Sequence, residues 1–578
     1  MNDVPKGSGP FDASAWKERL LALNPWARGL RIDEEDKAFE AAQHKATLDR
    51  YVQGREAWKA WANSMLGFKE QLRAAGRLES DPEEEEDWDD ERKRGGGTTE
   101  AHLWRNLAVA FFSSASRRQT IEPDWDFENF TFPGDVEFED ATFSGECRFK
   151  GAVFNGTAWF ERATFSSVVF FTEAKFHGSA MFEKTTFSGY ASFVRATFSS
   201  FCKFQDAKFD DTASFEDATF QGYDNWFWGI KFAGSALFGR CKFSKVSFEG
   251  TNFSQYSRFH YATFRDAVRF VRVTSGAILD MSSTKFFGPA DFSRSKFQDT
   301  ITLDRSAFAE AAVFDAINSQ TAFSLAAVTF RHVPSFIGAT FSGTLRLDNV
   351  QTPRYRLLGW TADKDAPARF RELKRRAAEA KDHDRELEFF AQEIRTSRFN
   401  AKGLPAYVPR VWEWRFWFGL FYGTFSDFGR SLWRPLSSWI VLFVLFAAFY
   451  LGEHPDMRKA RGSDAFLAYA ETTFTAWRNP PACRPQGKDD PNRMFATTNA
   501  VNEALYLSFN NGLLFLDSRR ADVARRVYGC LYGLDRIGDQ DSPVVPYRVS
   551  VASTIQSLLS AVLIFLFLLA VRNLLRLK

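Results

Sequence analysis

Cysteine and histidine are both scarce in this chain, with five and seven copies in 578 residues. The cysteines form no Cys-x-x-Cys pair and sit beside no histidine cluster, so nothing in the sequence is spaced to hold a structural zinc. The histidines, His44, His102, His177, His260, His332, His383 and His454, are dispersed. No glycine-rich nucleotide loop is present, and no Ser/His/Asp set stands out. Catalysis and a bound cofactor are therefore not expected. A large charge excess is also lacking: 74 Lys plus Arg face 72 Asp plus Glu, a net charge of +2. Such balance argues against a protein that coats nucleic acid. At roughly 100 to 200 residues per domain, the length implies about three or four units.

What is abundant is phenylalanine, with 64 copies against 36 Gly and 6 Met. From Phe132 to Phe220 the phenylalanines step alternately by six and five without a break, so the repeating unit is one step of each. Steps of five and six turn an α-helix by about 500° and 600°, which would scatter Phe around its axis. One long strand fails too, because a step of five reverses its face. Each block must instead hold a short extended piece and a bend that return every Phe to one interior.

The residue two before each Phe is usually Ala, as in Ala141-Thr142-Phe143, Ala163-Thr164-Phe165 and Ala196-Thr197-Phe198, and otherwise generally a small side chain. Cys147, Cys202 and Cys241 fill the same slot and read as small buried hydrophobes. Large beside small is what narrow stacked coils need in order to interdigitate. This Ala-x-Phe pattern resembles the pentapeptide-repeat family, which implies a right-handed quadrilateral β-solenoid over Phe127 to Leu347. The alternation of five with six departs from the family's simplest members and places an extra residue at a corner; only Phe238, Phe243, Phe248 and Phe253 run in strict fives. Apparent breaks fall at Gly222 to Ile230, Val271 to Lys285 and Asp315 to Ser324. Four blocks per coil give some ten coils at about 4.8 Å each. Some members of the family mimic DNA, but Phe127 to Asp348 holds 24 acidic against 22 basic side chains. A rigid spacer or protein-docking surface is the expectation for the solenoid.

The fold class expected is mixed: this solenoid over 127–350, flanked by α-helical segments, plus a C-terminal two-helix transmembrane module. Residues 1–78 have helical spacing, with a helix start at Asp33. An acidic and glycine-rich linker covers 79–100, and 101–126 cap the first coil. Residues 351–402 read as one long helix or a helix pair, with an apolar stripe of Phe370, Leu373, Ala377, Leu387, Phe390 and Ile394. Residues 403–435 mix Trp412, Trp414, Trp417 and Trp433 with Arg415 and Arg430, which suits the headgroup boundary of a bilayer.

Within 436–578, Leu436 to Gly452 and Val549 to Val571 carry no charged side chain, the first at the short end for a membrane span and the second comfortably long enough. The first residues show no secretory signal, so the expectation is a multi-pass protein of the inner (plasma) membrane whose large N-terminal part is cytoplasmic. Two spans return the C-terminus to the same side, in keeping with Arg572, Arg576 and Lys578. The loop 453–548 then faces the other side, and an oxidising compartment there makes Cys483 and Cys530 a candidate disulfide. Inside the loop, Ala504 to Leu516 is too short to span and suits either a re-entrant segment or an amphipathic helix on the outer surface.

Span, short helix, span: this order resembles the pore module of the potassium-channel superfamily, with Leu505-Tyr506-Leu507-Ser508-Phe509 in the place of the pore helix. No TVGYG-like filter follows, and the stretch from Asp517 to Val549 is longer than that family normally allows. The resemblance implies that Asn510, Asn511 and Gly512 would face an ion at the axis of a homo-oligomer. Two functions follow as expectations: a solenoid scaffold carried on an oligomeric pore, or a tethered scaffold without transport. The expected partners are the lipid membrane and an unidentified cytoplasmic protein, with no nucleic acid.

Overall fold

The computed structural model describes residues 11–30, 37–78, 99–112, 120–121, 124–355, 363–397, 413–455, 478, 483, 499–513, 520–537 and 540–576. The helix start at Asp33, linker residues 79–98 and most of the 453–548 loop lie outside these residues. The chain divides into two compact units, Met1–Pro353 and Arg354–Lys578.

In the first unit, two-residue parallel strands stack into four sheets of 10, 11, 11 and 10 strands. Thr164–Phe165 pairs with Thr142–Phe143 below and Thr186–Phe187 above, so one coil takes four blocks, two of five and two of six. The five-residue blocks are tight turns. At Phe138 to Ala141 the Ala141 N–H donates to the Phe138 carbonyl (3.2 Å), and Asp140 takes a left-handed φ of 57°. The six-residue blocks make the wider corners. There coils approach so closely that a Cβ on Gly178 would lie 2.3 Å from the Gly156 backbone. Because each corner donates to the coil beyond it, as Asp140 N–H does to Glu161 O (3.0 Å), short strands leave few backbone groups unpaired.

Inside, phenylalanines form four columns. Rings one coil apart stack at 4.4 to 5.3 Å, as in Phe160, Phe182 and Phe204 (4.8 and 4.6 Å). Rings on opposite sheets meet edge to face, as Phe182 does with Phe193 (5.6 Å, 89°). The strand spacing therefore sets the ring spacing, and both aromatic geometries are favourable ones.

The apparent breaks in the repeat are not breaks in the ladder. At Gly222 to Ile230 one coil gains a residue and the next loses one, since Cys202 pairs with Asn225 and Asn225 with Val246. Buried Asn225 stitches the swollen corner, its amide donating to Gly222 O (2.9 Å) and Lys245 O (3.0 Å). At the other two sites Ser275 and Ser319 replace Phe at inward positions, paired with Phe253, Phe297 and Phe341 in one sheet.

The solenoid begins earlier than its phenylalanine count indicates. Ala110–Phe111 is already a strand, and Phe112 stacks on Phe138 at 4.8 Å, an Ala-x-Phe block inside the segment expected to be only a cap. The first coil is covered by helices α2 (Lys37–Val52), α3 (Arg55–Ala74) and α4 (Thr99–Ala108), of which α4 falls largely in the segment expected to cap it, with α1 (Ala13–Leu23) packed behind α3. Tyr51 stacks on Trp125 (4.6 Å), and Trp58 lies on Phe130 (5.4 Å) while its indole N–H donates to Thr131 O (2.9 Å). An open solenoid end would expose these rings to water.

In the second unit, residues 366–397 are a helix pair, α5 (Ala366–Glu379) and α6 (His383–Ser397), broken where Lys381 takes a left-handed φ of 58°. Phe370, Leu373 and Ala377 are buried as the stripe required. On α6 the buried apolar residues are Phe389 and Ala391, while Leu387, Phe390 and Ile394 are half-buried, Phe390 meeting Phe428 edge to face (6.3 Å). Helix α7 (Trp414–Ser426) turns sharply through Asp427 and Phe428, both left-handed, into α8 (Trp433–Gly452). Then follow α9 (Ala500–Gly512), α10 (Arg520–Tyr532), a β-hairpin (Leu534–Ile537 with Gln540–Pro543) and α11 (Tyr547–Arg576).

Candidate functional site

Helices α8 and α11 contain the expected spans, Leu436 to Gly452 and Val549 to Val571, and both are long and apolar enough to cross a membrane. Much of their surface is apolar and uncovered, with Val441 57%, Leu445 62%, Leu558 65% and Phe565 63% exposed. Water would penalise such stripes, whereas hydrocarbon would not. Helix α7 adds an apolar surface of Trp417, Phe418, Phe421 and Phe425, with Trp414 and Trp417 outward. Trp412 lies outside the described residues.

Between α8 and α11 sits α9, held by apolar packing of Ala500, Ala504 and Leu507 on Tyr450, Leu451 and Val549. A chain of hydrogen bonds then fixes its register. Gln556 on α11 donates to Ser508 O (2.9 Å) and Ser508 Oγ (2.7 Å), and Ser508 Oγ donates to Phe443 O on α8 (2.8 Å). The Tyr450 hydroxyl donates to Gln556 Oε1 (2.8 Å) and accepts from Asn511 Nδ2 (3.2 Å). Ser557 Oγ donates to Asn511 O (3.0 Å), and Tyr532 OH on α10 donates to Tyr450 O (3.0 Å). A buried network satisfied in this way specifies one arrangement of helices.

Asn510, Asn511 and Gly512 are the last turn of α9, not an extended filter. The Asn511 amide and carbonyl are both engaged within this chain, by Tyr450 on α8 and Ser557 on α11. Trp439 lies over Gly512, 3.2 Å from where a Cβ would stand, and its indole N–H donates to Gly512 O (3.3 Å). Asn510 is half-buried, and its carbonyl accepts the capping N–H of Leu513 (3.4 Å). Cys483 and Cys530 are joined as a disulfide, with Cα atoms 4.6 Å apart. Gln556, Tyr450 and Ser557 were not singled out from the sequence. The signal for Gln556 was present, since an amide buried inside a long apolar run needs a partner.

On the solenoid, the chemistry is confined to the outside. Cys202 and Cys241 are fully buried, and burial pushes both thiols well above their ordinary range, so they pack rather than react. Corner residues one coil apart form ion-pair ladders: Arg162 with Asp140 (2.9 Å), Arg195 with Glu173 (2.6 Å) and Arg240 with Asp217 (2.8 Å). Glu139, Glu161 and Glu183 stack along one face. Burial, then the Glu183 and Glu139 carboxylates, push the Glu161 carboxyl up. Burial would raise Glu183 as well, but hydrogen bonds from Lys203 and Lys184 outweigh it and hold that carboxyl below its ordinary range.

The arrangement is a β-solenoid of about ten turns flanked by helices, with two apolar helices at the C-terminal end of the chain. Residues 127–175, 182–225 and 227–274 match the profile of the family described as pentapeptide repeats, in nine copies, and the solenoid is a pentapeptide-repeat domain. No curated protein and no solved structure matches the chain.

Proposed function

We propose that this protein is a membrane-tethered scaffold: α8 and α11 anchor it in a bilayer, and the cytoplasmic solenoid offers polar faces to protein partners, without a catalytic step of its own. The observation that carries this reading is the pair of long helices whose apolar faces are left uncovered by the rest of their unit. Hydrocarbon is the solvent that suits them. The Cys483–Cys530 disulfide suits a loop on the oxidising side, with both termini in the cytoplasm. Full-length protein should resist extraction from membranes by alkaline carbonate, and a chain truncated before Trp433 should be released. Extraction of the full chain would overturn the tether.

A second reading, an oligomeric pore, draws support from the seating of α9 between the two spans. It requires several subunits around an axis. Reconstituted protein that is monomeric by native mass and passes no ions leaves the tether alone. A stable oligomer whose ion flux is abolished by Asn510→Ala favours the pore.

A further inference from the structure

One face of the solenoid changes character along its length. In the sheet whose inward residues include Phe264 and Phe286, the outward strand positions of the early coils are Thr131, Val153, Lys175, Thr197 and Thr219. The corner cations there, Arg195 and Arg240, are neutralised by Glu173 and Asp217. From Lys242 onward the strand positions are Lys242, Thr263, Lys285, Ala307 and Thr329, and the flanking corners add Arg265, Arg305 and Arg331; all five cations are exposed. Among the described residues none of these five has an ion-pair partner. Three carboxylates share the face, Asp217, Asp266 and Glu310; Asp217 pairs with Arg240 and is also acted on by Lys242, and Glu310 lies 3.7 Å from His332. Between the cations stand two outward aromatics, Phe287 (53% exposed) and Tyr261 (60%).

We propose that this face docks on a bilayer leaflet bearing anionic phospholipids. The inference rests on the membrane reading of α8 and α11. Charge complementarity selects an anionic occupant, since unpaired Lys and Arg are drawn to a negatively charged leaflet within a Debye length. The exposed aromatics favour lipid over a soluble polyanion, because aromatic rings beside cations fit the boundary between headgroups and acyl chains. The tether supplies the remaining advantage: a chain already anchored meets the leaflet at high effective concentration, so weak contacts suffice. The solenoid would then lie against the membrane through this face and keep the other three for protein partners.

The test uses the full chain carrying Phe287→Cys labelled with an environment-sensitive fluorophore. Cys147, Cys202 and Cys241 are buried and Cys483 and Cys530 are joined, so labelling is directed to position 287. In vesicles one-third phosphatidylserine, acrylamide should quench the label several-fold less than in pure phosphatidylcholine, and high salt should erase the difference. The combined variant Arg265→Glu, Lys285→Glu, Arg305→Glu and Arg331→Glu, checked for an unchanged solenoid melting transition, should show no lipid dependence. Equal quenching in the two vesicles, with the wild-type chain carbonate-resistant in both, would overturn the proposal. So would protection on neutral vesicles by poly-glutamate or an oligonucleotide as strong as that given by anionic lipid, which would assign the face to a soluble polyanion. A chain that fails to insert sinks the tether instead, and its response to added anionic vesicles still decides the face.

Discussion

The two units are held together on opposite principles. In the solenoid nearly every coil repeats the same inward rings and turns, with exceptions at Ser275, Ser319 and the coils around Asn225, so each layer touches only its neighbours and stability accumulates layer by layer. In the second unit α8, α9 and α11 meet through a few hydrogen bonds that occur once, between residues such as Ser508 and Gln556, 48 positions apart. The solenoid therefore distributes its stability over many equivalent contacts, while the helical unit concentrates its specificity in a handful.

The sharpest way to break this contrast is at a single ring. Phe182 is fully buried and stacks on Phe160 and Phe204, so Phe182→Ala should cost about 3 to 5 kcal/mol through lost burial and a cavity. Chemical denaturation followed by circular dichroism measures it. A cost below about 1 kcal/mol would mean that the inward register is wrong, because no fully buried ring is lost so cheaply. Next in size is the disulfide. Cys483 and Cys530 close a loop with a sequence separation of 47, so Cys530→Ser should destabilise the helical unit by about 2 to 4 kcal/mol and leave the solenoid transition unchanged. Free thiols at both positions in protein purified from membranes would remove the bond from the account.

The hydrogen-bond network predicts a smaller effect with a particular signature. Gln556→Leu leaves the buried Tyr450 hydroxyl and Ser508 short of partners, costing about 1 to 2 kcal/mol. In a double-mutant cycle with Ser508→Ala the two losses should not add, because each removes the same contact. Strict additivity would mean that α9 is held by apolar packing alone.

The same contrast explains what the sequence disclosed. A period imposed on every coil is visible wherever it recurs, so the solenoid, its small-residue slot and the inward cysteines could be read directly. Where a coil grew by one residue, or Ser275 and Ser319 stood in for Phe, the period lapsed in sequence although the ladder continued, because backbone pairing does not depend on the inward side chain. The first coil was missed at Ala110–Phe111 for want of neighbours on its N-terminal side. The two long apolar helices were legible from length and apolarity. The engagement of Asn511 and Gly512 with Tyr450 and Trp439 was not, since nothing local marks a bond between residues 61 or 73 positions apart.

The smallest effect tests whether repetition carries a penalty. Stacking one outward position every coil brings like charges close together, and Glu161 lies between Glu139 and Glu183 with Lys203 and Arg162 as partial compensation. Its carboxyl holds a proton more tightly in the folded state than in the unfolded chain. The stability this contributes is therefore fully present below the ordinary glutamate value of about 4.5 and is lost as pH rises through the raised folded value. Glu161→Gln removes the charge, so the variant should match the wild type near pH 4 and exceed it by less than about 1 kcal/mol at neutral pH. Thermal melts of the solenoid across that range read the difference. A variant no more stable than the wild type at any pH would show instead that Lys203 and Arg162 fully compensate the carboxylate, and that the ladder of Glu residues costs the solenoid nothing.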